Sequence, residues 1–294
     1  MLRPRELALF AFWFALPLAL LLMKERAGAE ARLAVSFIDV GQGDAALITS
    51  PTGKSVLVDG GPPESAAALT EFVRARARQP LDLVLLTHRH VDHLGGLESL
   101  IRSVGTRLFL DSSYPHPTPA YRRLVRLLEE RHVPVREAIR GRRVDLGDGA
   151  ILELLGPPEP ALAHTRSDVN SNSVVARLDW RRLSVLFAAD AEAPAERWLL
   201  AERTRLRARV LKVAHHGSRY SSTLRFLRAV APEIAVVSCG AGNDYGHPHP
   251  LALRRLAQVG ARVYRTDERG DVLLTSDGDR LEIATTRGPK EARR

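Results

Sequence analysis

The apolar run Leu81-Asp82-Leu83-Val84-Leu85-Leu86 is followed by Thr87 and then by His88-Arg89-His90-Val91-Asp92-His93, three imidazoles and a carboxylate within six residues. A short aliphatic run set off by Pro80 reads as a buried strand. A strand that stops at such a cluster delivers its polar groups from a rigid edge into a loop, so the fold must bring that edge to a cleft. Imidazole and carboxylate are the donors that suit zinc, manganese or iron. His88 and His90, two apart, point the same way from an extended loop and can share one ion. Asp92 and His93 can then turn towards a second. A surface loop that is merely polar would not concentrate four candidate ligands so densely.

The chain has 294 residues, 45% of them hydrophobic, which is enough for one large domain with a sizeable core. Its formal charge of +9 is carried mostly by arginine, lysine occurring only at Lys24, Lys54, Lys212 and Lys290. That balance gives weak support to a polyanionic substrate. Cys239 is alone, so no intrachain disulfide forms, and it reads as a small buried hydrophobe. Residues 1–30 carry an uncharged run from Leu7 to Met23, broken only by Pro17 and closed by Lys24-Glu25-Arg26. Such a run sits at the lower limit for spanning a bilayer. The charges directly before Ala27-Gly28-Ala29 favour an uncleaved membrane anchor over a cleaved signal segment. Basic residues flank both ends and leave its orientation open.

From Leu33 the pattern turns to short strands and helices with no Pro/Gly/Ser linker, giving one domain over residues 31–286 and a loose basic tail over 287–294. Strands are expected at Leu33–Ile38, Ala45–Ile48, Ser55–Val58, Leu81–Leu86, Thr106–Leu110, Ala150–Leu155, Ser173–Leu178, Leu183–Ala188, Ala208–Val213 and Ile234–Cys239, then near Val263, Val272 and Leu281. Helices are expected at Glu64–Arg78, from Gly95, and at Ala120–Arg131, Ala193–Leu206, Thr223–Val230 and Leu251–Gln258. The Arg-rich stretch from Arg122 to Arg143 reads as a solvated face. Each polar cluster falls at a strand end, which predicts an α/β fold of two sheets with helices outside and a site along the shared edge.

The His88–His93 cluster resembles the signature of metallo-β-lactamase-fold hydrolases, and six companion motifs in order resemble the hydrolase domain of the ComEC competence proteins within that fold. The companions are Phe37-Ile38-Asp39-Val40-Gly41-Gln42-Gly43-Asp44-Ala45, Val58-Asp59-Gly60-Gly61, Asn170-Ser171-Asn172-Ser173, Ala189-Asp190-Ala191-Glu192, Lys212-Val213-Ala214-His215-His216-Gly217-Ser218, and Gly246-His247-Pro248. The resemblance spans about residues 33 to 276 and implies an αββα four-layer sandwich holding two divalent metal ions, zinc first and manganese second. It implies that His88 and His90 bind metal one, Asp92 and His93 bind metal two, and Asp190 bridges them. Family members usually carry glycine where Ala189 stands. Many relatives also place a further histidine before the bridging aspartate, where His116, His132 and His164 here match no motif. The missing ligands then come from His215, His216 or His247: one of the His215–His216 pair is a ligand and the other a ligand or proton donor, while His247 is a ligand or an acid. Asp39 and Asp44 would support the metal loop and Asp59 would orient a ligand histidine. Asn172, Ser173, Ser218 and Asn243 can hydrogen-bond a phosphate oxygen or serve as turn residues.

The function implied is hydrolysis of a phosphodiester, with DNA the leading substrate, by water activated between two metals. Asp92, His215, His216 and His247 are the candidates for proton handling. A cell-envelope phosphorylcholine-type esterase or a lactonase is the alternative, and a non-catalytic DNA-binding accessory of the DNA-uptake machinery is a third reading. A β-lactamase fits least, because Asp190 supplies an acidic bridge suited to phosphoesters. The expected location is membrane-anchored or exported, with the hydrolase domain outside the cytoplasm.

Overall fold

The structure, a computed structural model, describes residues 32–288. The expected anchor at residues 1–30 and residues 289–294 of the basic tail lie outside the described residues. Among the described residues no helix is long and apolar enough to cross a membrane.

The chain opens with an antiparallel meander, β1 (Leu33–Phe37), β2 (Ala46–Thr49) and β3 (Ser55–Val58), then α1 (Ala66–Arg76) and β4 (Leu83–Leu86). Helices α2 (Val91–Leu94) and α3 (Leu97–Ser103), strand β5 (Phe109–Asp111), helix α4 (Pro119–Glu130) and strand β6 (Val135–Glu137) complete the first half. In the second half β7 (Arg143–Gly147), β8 (Ala150–Leu154), α5 (Asp168–Ser171), β9 (Ala176–Trp180), β10 (Leu183–Phe187), α6 (Ala193–Ala201) and β11 (Val210–Lys212) lead to α7 (Leu224–Val230) and β12 (Ile234–Val237). The remaining elements are α8 (Pro250–Gln258), β13 (Arg262–Arg265), α9 (Thr266–Arg269), β14 (Val272–Ser276) and β15 (Leu281–Thr285). One sheet has the order β15-β14-β1-β2-β3-β4-β5-β6 and the other β13-β12-β11-β10-β9-β8-β7.

Period-two alternation decides the layering. Val56 and Val58 of β3 point into a core shared with Val185 and Phe187 of β10, while Leu57 points the other way, against Leu69 and Leu97. Leu186 and Leu211 likewise face Leu199 and Phe226 on the outer side of the second sheet. The result is helices, sheet, sheet, helices. Each aliphatic or aromatic side chain so enclosed contributes roughly 1.5–3 kcal/mol. Helix α4 shows how local chemistry sets an element: Thr118 caps it by accepting from Tyr121 N–H at 3.2 Å, Pro119 opens it, and Leu124, Leu127 and Leu128 bury its inner stripe.

The site is placed by topology. β3, β4 and β5 run parallel in one sheet, as do β10, β11, β12 and β13 in the other, so their C-terminal ends open onto one edge. Two sequence expectations are corrected, the end of one helix and the start of the tail. Helix α6 stops at Ala201 because Arg203 adopts a left-handed φ of 50°, and Leu206 reaches the core from irregular chain instead. The Arg-rich stretch is largely solvated, as expected, but it also holds the unannounced strand β6 and the start of β7; β6 is exposed throughout, so it carried no apolar signal. Arg287 does not begin a loose tail: its N–H donates to Arg269 O at 2.7 Å and its guanidinium pairs with Asp39. Asp39 pairs with that arginine and accepts from Gly41 N–H, which braces the Gly-rich turn.

Candidate metal centre

Two triads of ligand atoms converge at this edge, His88, His90 and Asp190 in one and Asp92, His93 and His216 in the other, each with its atoms within 4.8 Å of one another. Asp190 stands between them. Its Oδ2 lies 3.6 Å from His88 Nε2 and 3.6 Å from His215 Nε2, while Oδ1 lies 3.4 Å from His93 Nε2 and 3.8 Å from His216 Nε2. Each oxygen thus serves a different pair of imidazoles.

The surroundings dictate which ring nitrogen is bare. Asp59 Oδ2 accepts from Thr87 Oγ1 at 2.8 Å and sits 2.8 Å from His93 Nδ1, so Nδ1 donates and Nε2 turns to Asp190. Because Thr87 gives its hydroxyl proton to Asp59, its oxygen accepts from His88 Nδ1 at 3.1 Å. His216 Nδ1 donates to the Ser238 carbonyl at 3.1 Å, leaving Nε2 aimed at Asp92 Oδ2, 3.2 Å away. Three buried imidazoles are therefore held in the tautomer that presents an Nε2 lone pair to the same carboxylates. His93 Nε2 and Asp190 Oδ1 are buried without a hydrogen-bond partner, a costly state that a cation among these donors would resolve. The residues present fit divalent metal binding.

Charge follows the same geometry. Burial would raise the Asp190 carboxyl, but His215, His93 and His216 outweigh it and hold it well below the usual range. Burial alone would lower His216; Asp44 and Asp190 instead push it up to about 10, and His93 is raised well above its ordinary value against the same burial by Asp190 and Asp59. The same carboxylates that favour a proton on His93 and His216 would favour a cation at their Nε2 atoms, so metal and protons compete for these rings. Burial, reinforced by His216 and His215, lowers His247 to about 4.

Local backbone explains how two adjacent histidines reach one carboxylate. His215 (φ 49°) and His216 (φ 53°) are both left-handed within a 3₁₀ turn at Ala214–Gly217, so the alternation expected of a strand does not apply. Asp44 N–H donates to the Asp92 carbonyl at 3.1 Å, fastening the Gly-rich β1–β2 turn to the metal loop. Gly43 is required there, since a Cβ would collide with that carbonyl. Ala189, preceding Asp190, has φ 47°. Relief of left-handed strain roughly offsets the lost methyl and the added chain entropy, so Ala189→Gly should leave stability within about 1 kcal/mol of the parent, whereas Ala188→Gly, buried at ordinary φ, should cost about 1–2 kcal/mol. Urea midpoints of the two variants check this, and equal losses would count against the strain.

The remaining candidates divide. His247 lines the cavity, its ring 5.6 Å from that of His215. Ser218 also lines it, and its Oγ accepts from Tyr220 N–H at 3.3 Å. Asn172 and Asn243 are not free for substrate: Asn172 holds Leu162 and Asp168, and Asn243 holds Gly240, Tyr245 and His247. Ser173 is buried away from the cavity wall. Asn170, passed over in the Asn-Ser-Asn-Ser run, takes the place offered to them; its Nδ2 is 3.3 Å from His215 Nε2 and its Oδ1 is unpartnered. Glu192, also overlooked, lies 3.4 Å from His215 Nδ1 and is paired with Arg166. His116 sits edge-on to His90 at 5.0 Å. These contacts join residues far apart in sequence, and only Asn170 and Glu192 lay within a motif. The cavity above the cluster measures about 600 Å³.

The Metallo-beta-lactamase superfamily pattern matches residues 38–241. The chain is similar to ComE operon protein 3 of Bacillus subtilis, 28% identical across 81% of this chain and 32% of that protein. It is also similar to competence protein ComA of Neisseria gonorrhoeae, 29% identical across 92% of this chain and 36% of that protein. It spans about a third of the length of these curated relatives. Among solved structures, the metallo-β-lactamase fold protein YhfI of Bacillus subtilis superposes with a TM-score of 0.55 at 14% identity, covering 83% of this chain and 100% of that one.

Proposed function

The chain belongs to the metallo-β-lactamase superfamily and is a metal-dependent hydrolase resembling the ComEC-like competence proteins, and from that premise we propose that it is a dinuclear phosphodiesterase acting on DNA. The observation that carries this reading is the Asp190 carboxylate, whose two oxygens face two separate sets of ligands. A carboxylate shared in this way suits a pair of cations a few ångströms apart, the arrangement that recurs in phosphatases and nucleases. Divalent ions bound there, zinc before manganese, would supply Lewis acidity towards a phosphoryl oxygen and towards water.

The chain's own residues do the rest. His88 and His90 hold one side of Asp190, and Asp92, His93 and His216 hold the other. His215 stands beside the first triad with Glu192 at its Nδ1, so it is oriented to carry a proton between cavity and carboxylate. His247, neutral near pH 7, has no proton to spare as an acid and serves instead as a hydrogen-bonding partner for substrate. Asn170 Nδ2 offers a neutral donor at the same wall. Part of this proposal is that the domain works outside the cytoplasm, tethered through residues 1–30, in the setting of DNA uptake.

The test is a substrate panel. Protein loaded with Zn²⁺ or Mn²⁺ is offered bis(p-nitrophenyl) phosphate, single- and double-stranded DNA, a phosphorylcholine ester, a lactone and a β-lactam. Metal-dependent cleavage of the diester and of DNA is expected. Turnover of the choline ester or lactone with no diester cleavage would overturn the proposal, and DNA binding without turnover of any substrate would favour an accessory role.

A further inference from the structure

Five large hydrophobic side chains remain exposed among the described residues, and three of them, Val91 (53%), Tyr220 (47%) and Tyr245 (72%), line the cavity above the metal cluster. Apolar surface left at a polar site marks a binding function. Tyr245 is not loose: its N–H donates to Asn243 Oδ1 at 3.2 Å, and its ring lies along His247, 5.9 Å away with 22° between planes. His247 in turn neighbours the His215 ring at 5.6 Å and the His216 ring at 6.2 Å. One imidazole therefore separates the Tyr245 ring from the ligand cluster. On the other flank Tyr220 carries the Arg166 guanidinium over its face at 4.1 Å and that of Arg219 at 5.6 Å.

We propose that Tyr245 is a stacking platform for a base beside the scissile phosphate, and that it makes single-stranded nucleic acid the preferred substrate. This rests on the phosphodiesterase reading. A stacked base needs a flat aromatic face held rigidly beside the reacting phosphate, and Tyr245 supplies one on the His247 loop. Base–aromatic stacking works on a splayed strand and tolerates any sequence. A base within a duplex is already stacked on both faces and cannot reach the ring. The arginines set the sign of the ligand: Tyr220, its face taken by the Arg166 guanidinium, stacks no base itself and holds positive charge that welcomes a polyanion and disfavours a choline headgroup.

The experiment compares an oligothymidylate, an abasic strand of equal length and the oligothymidylate annealed to its complement. Metal-loaded wild type, Tyr245→Ala and Tyr245→Phe are assayed for kcat and KM, and binding to the labelled strands is followed by fluorescence anisotropy. Wild type should favour oligothymidylate over both other strands. Tyr245→Ala should lose about 5- to 150-fold in kcat/KM and in affinity for oligothymidylate, mostly through KM. Its handling of the abasic strand should be unchanged, and Tyr245→Phe should keep the stacking of the parent. Equal losses on base-bearing and abasic strands, or no loss on either, would overturn the platform. If wild type cleaves no strand, the phosphodiesterase reading falls on that result, and binding alone then judges the platform: no preference for oligothymidylate over the abasic strand overturns it.

Discussion

Asp190→Ala is expected to lower metal-dependent hydrolysis by more than about 100-fold, since loss of groups that merely support a ligand already costs about 10–100-fold. The residue is 1% exposed and lies within 3.8 Å of Nε2 atoms of His88, His93, His215 and His216. Its removal takes a donor from both sides of the centre at once, so bound metal per chain should fall along with rate. Asp190→Asn keeps the shape and one acceptor but lacks the charge, and should recover little of either. Metal content of the dialysed variants and turnover of bis(p-nitrophenyl) phosphate are the two readouts, with circular dichroism to show the fold persists. EDTA on the parent protein should reproduce the loss, and added metal should reverse it. A variant that keeps its metal and turns over within a few-fold of the parent would remove Asp190 from the mechanism.

Much of this centre was legible because it follows strand ends. The aliphatic runs before His88 and Asp190 are β4 and β10, whose short, nearly unbroken apolar stretches announce buried strands, and the donors come within three residues of their ends. What stayed hidden depends on backbone dihedrals and on long-range pairing. Nothing in Ala214-His215-His216-Gly217 declares two successive left-handed residues, yet that turn brings both rings to Asp190. Asn170 and Asn172 are alike by type. The short helix α5 sends one to His215 and the other to Leu162. Asp39 reads as a support of the metal loop from its place in the Gly-rich motif, and its pairing with Arg287, 248 residues away, left no local signal. The exposed strand β6 has no buried face to leave a pattern.

Lys212→Met should cost up to about 3 kcal/mol in the metal-free protein, the low end of the penalty for breaking a buried ion pair, because His216 Nδ1 remains 3.3 Å from Asp44 Oδ1. Lys212 Nζ donates to Asp44 Oδ2 at 2.8 Å and to the Val213 carbonyl at 3.1 Å, with both side chains buried. Burial would raise the Asp44 carboxyl, and Lys212, with His216, keeps it below its ordinary value instead. Asp44 is on the turn after β1 and Lys212 ends β11, so the pair clamps one sheet to the other directly beneath the ligands. Methionine fills the volume of the lysine stem but offers no charge. The discriminating experiment is a double-mutant cycle in urea with EDTA present. If the single loss reflects the stranded carboxylate, Lys212→Met combined with Asp44→Asn should recover most of it, because a neutral amide costs less to bury than an unpaired charge. A single variant within about 1 kcal/mol of the parent would mean the ion pair does not hold the sheets together. Losses that add across the two sites would mean each side chain acts alone. Recovery would identify the clamp as a unit whose charge balance keeps Asp44, and through its N–H the Asp92 carbonyl, where the metal loop needs them.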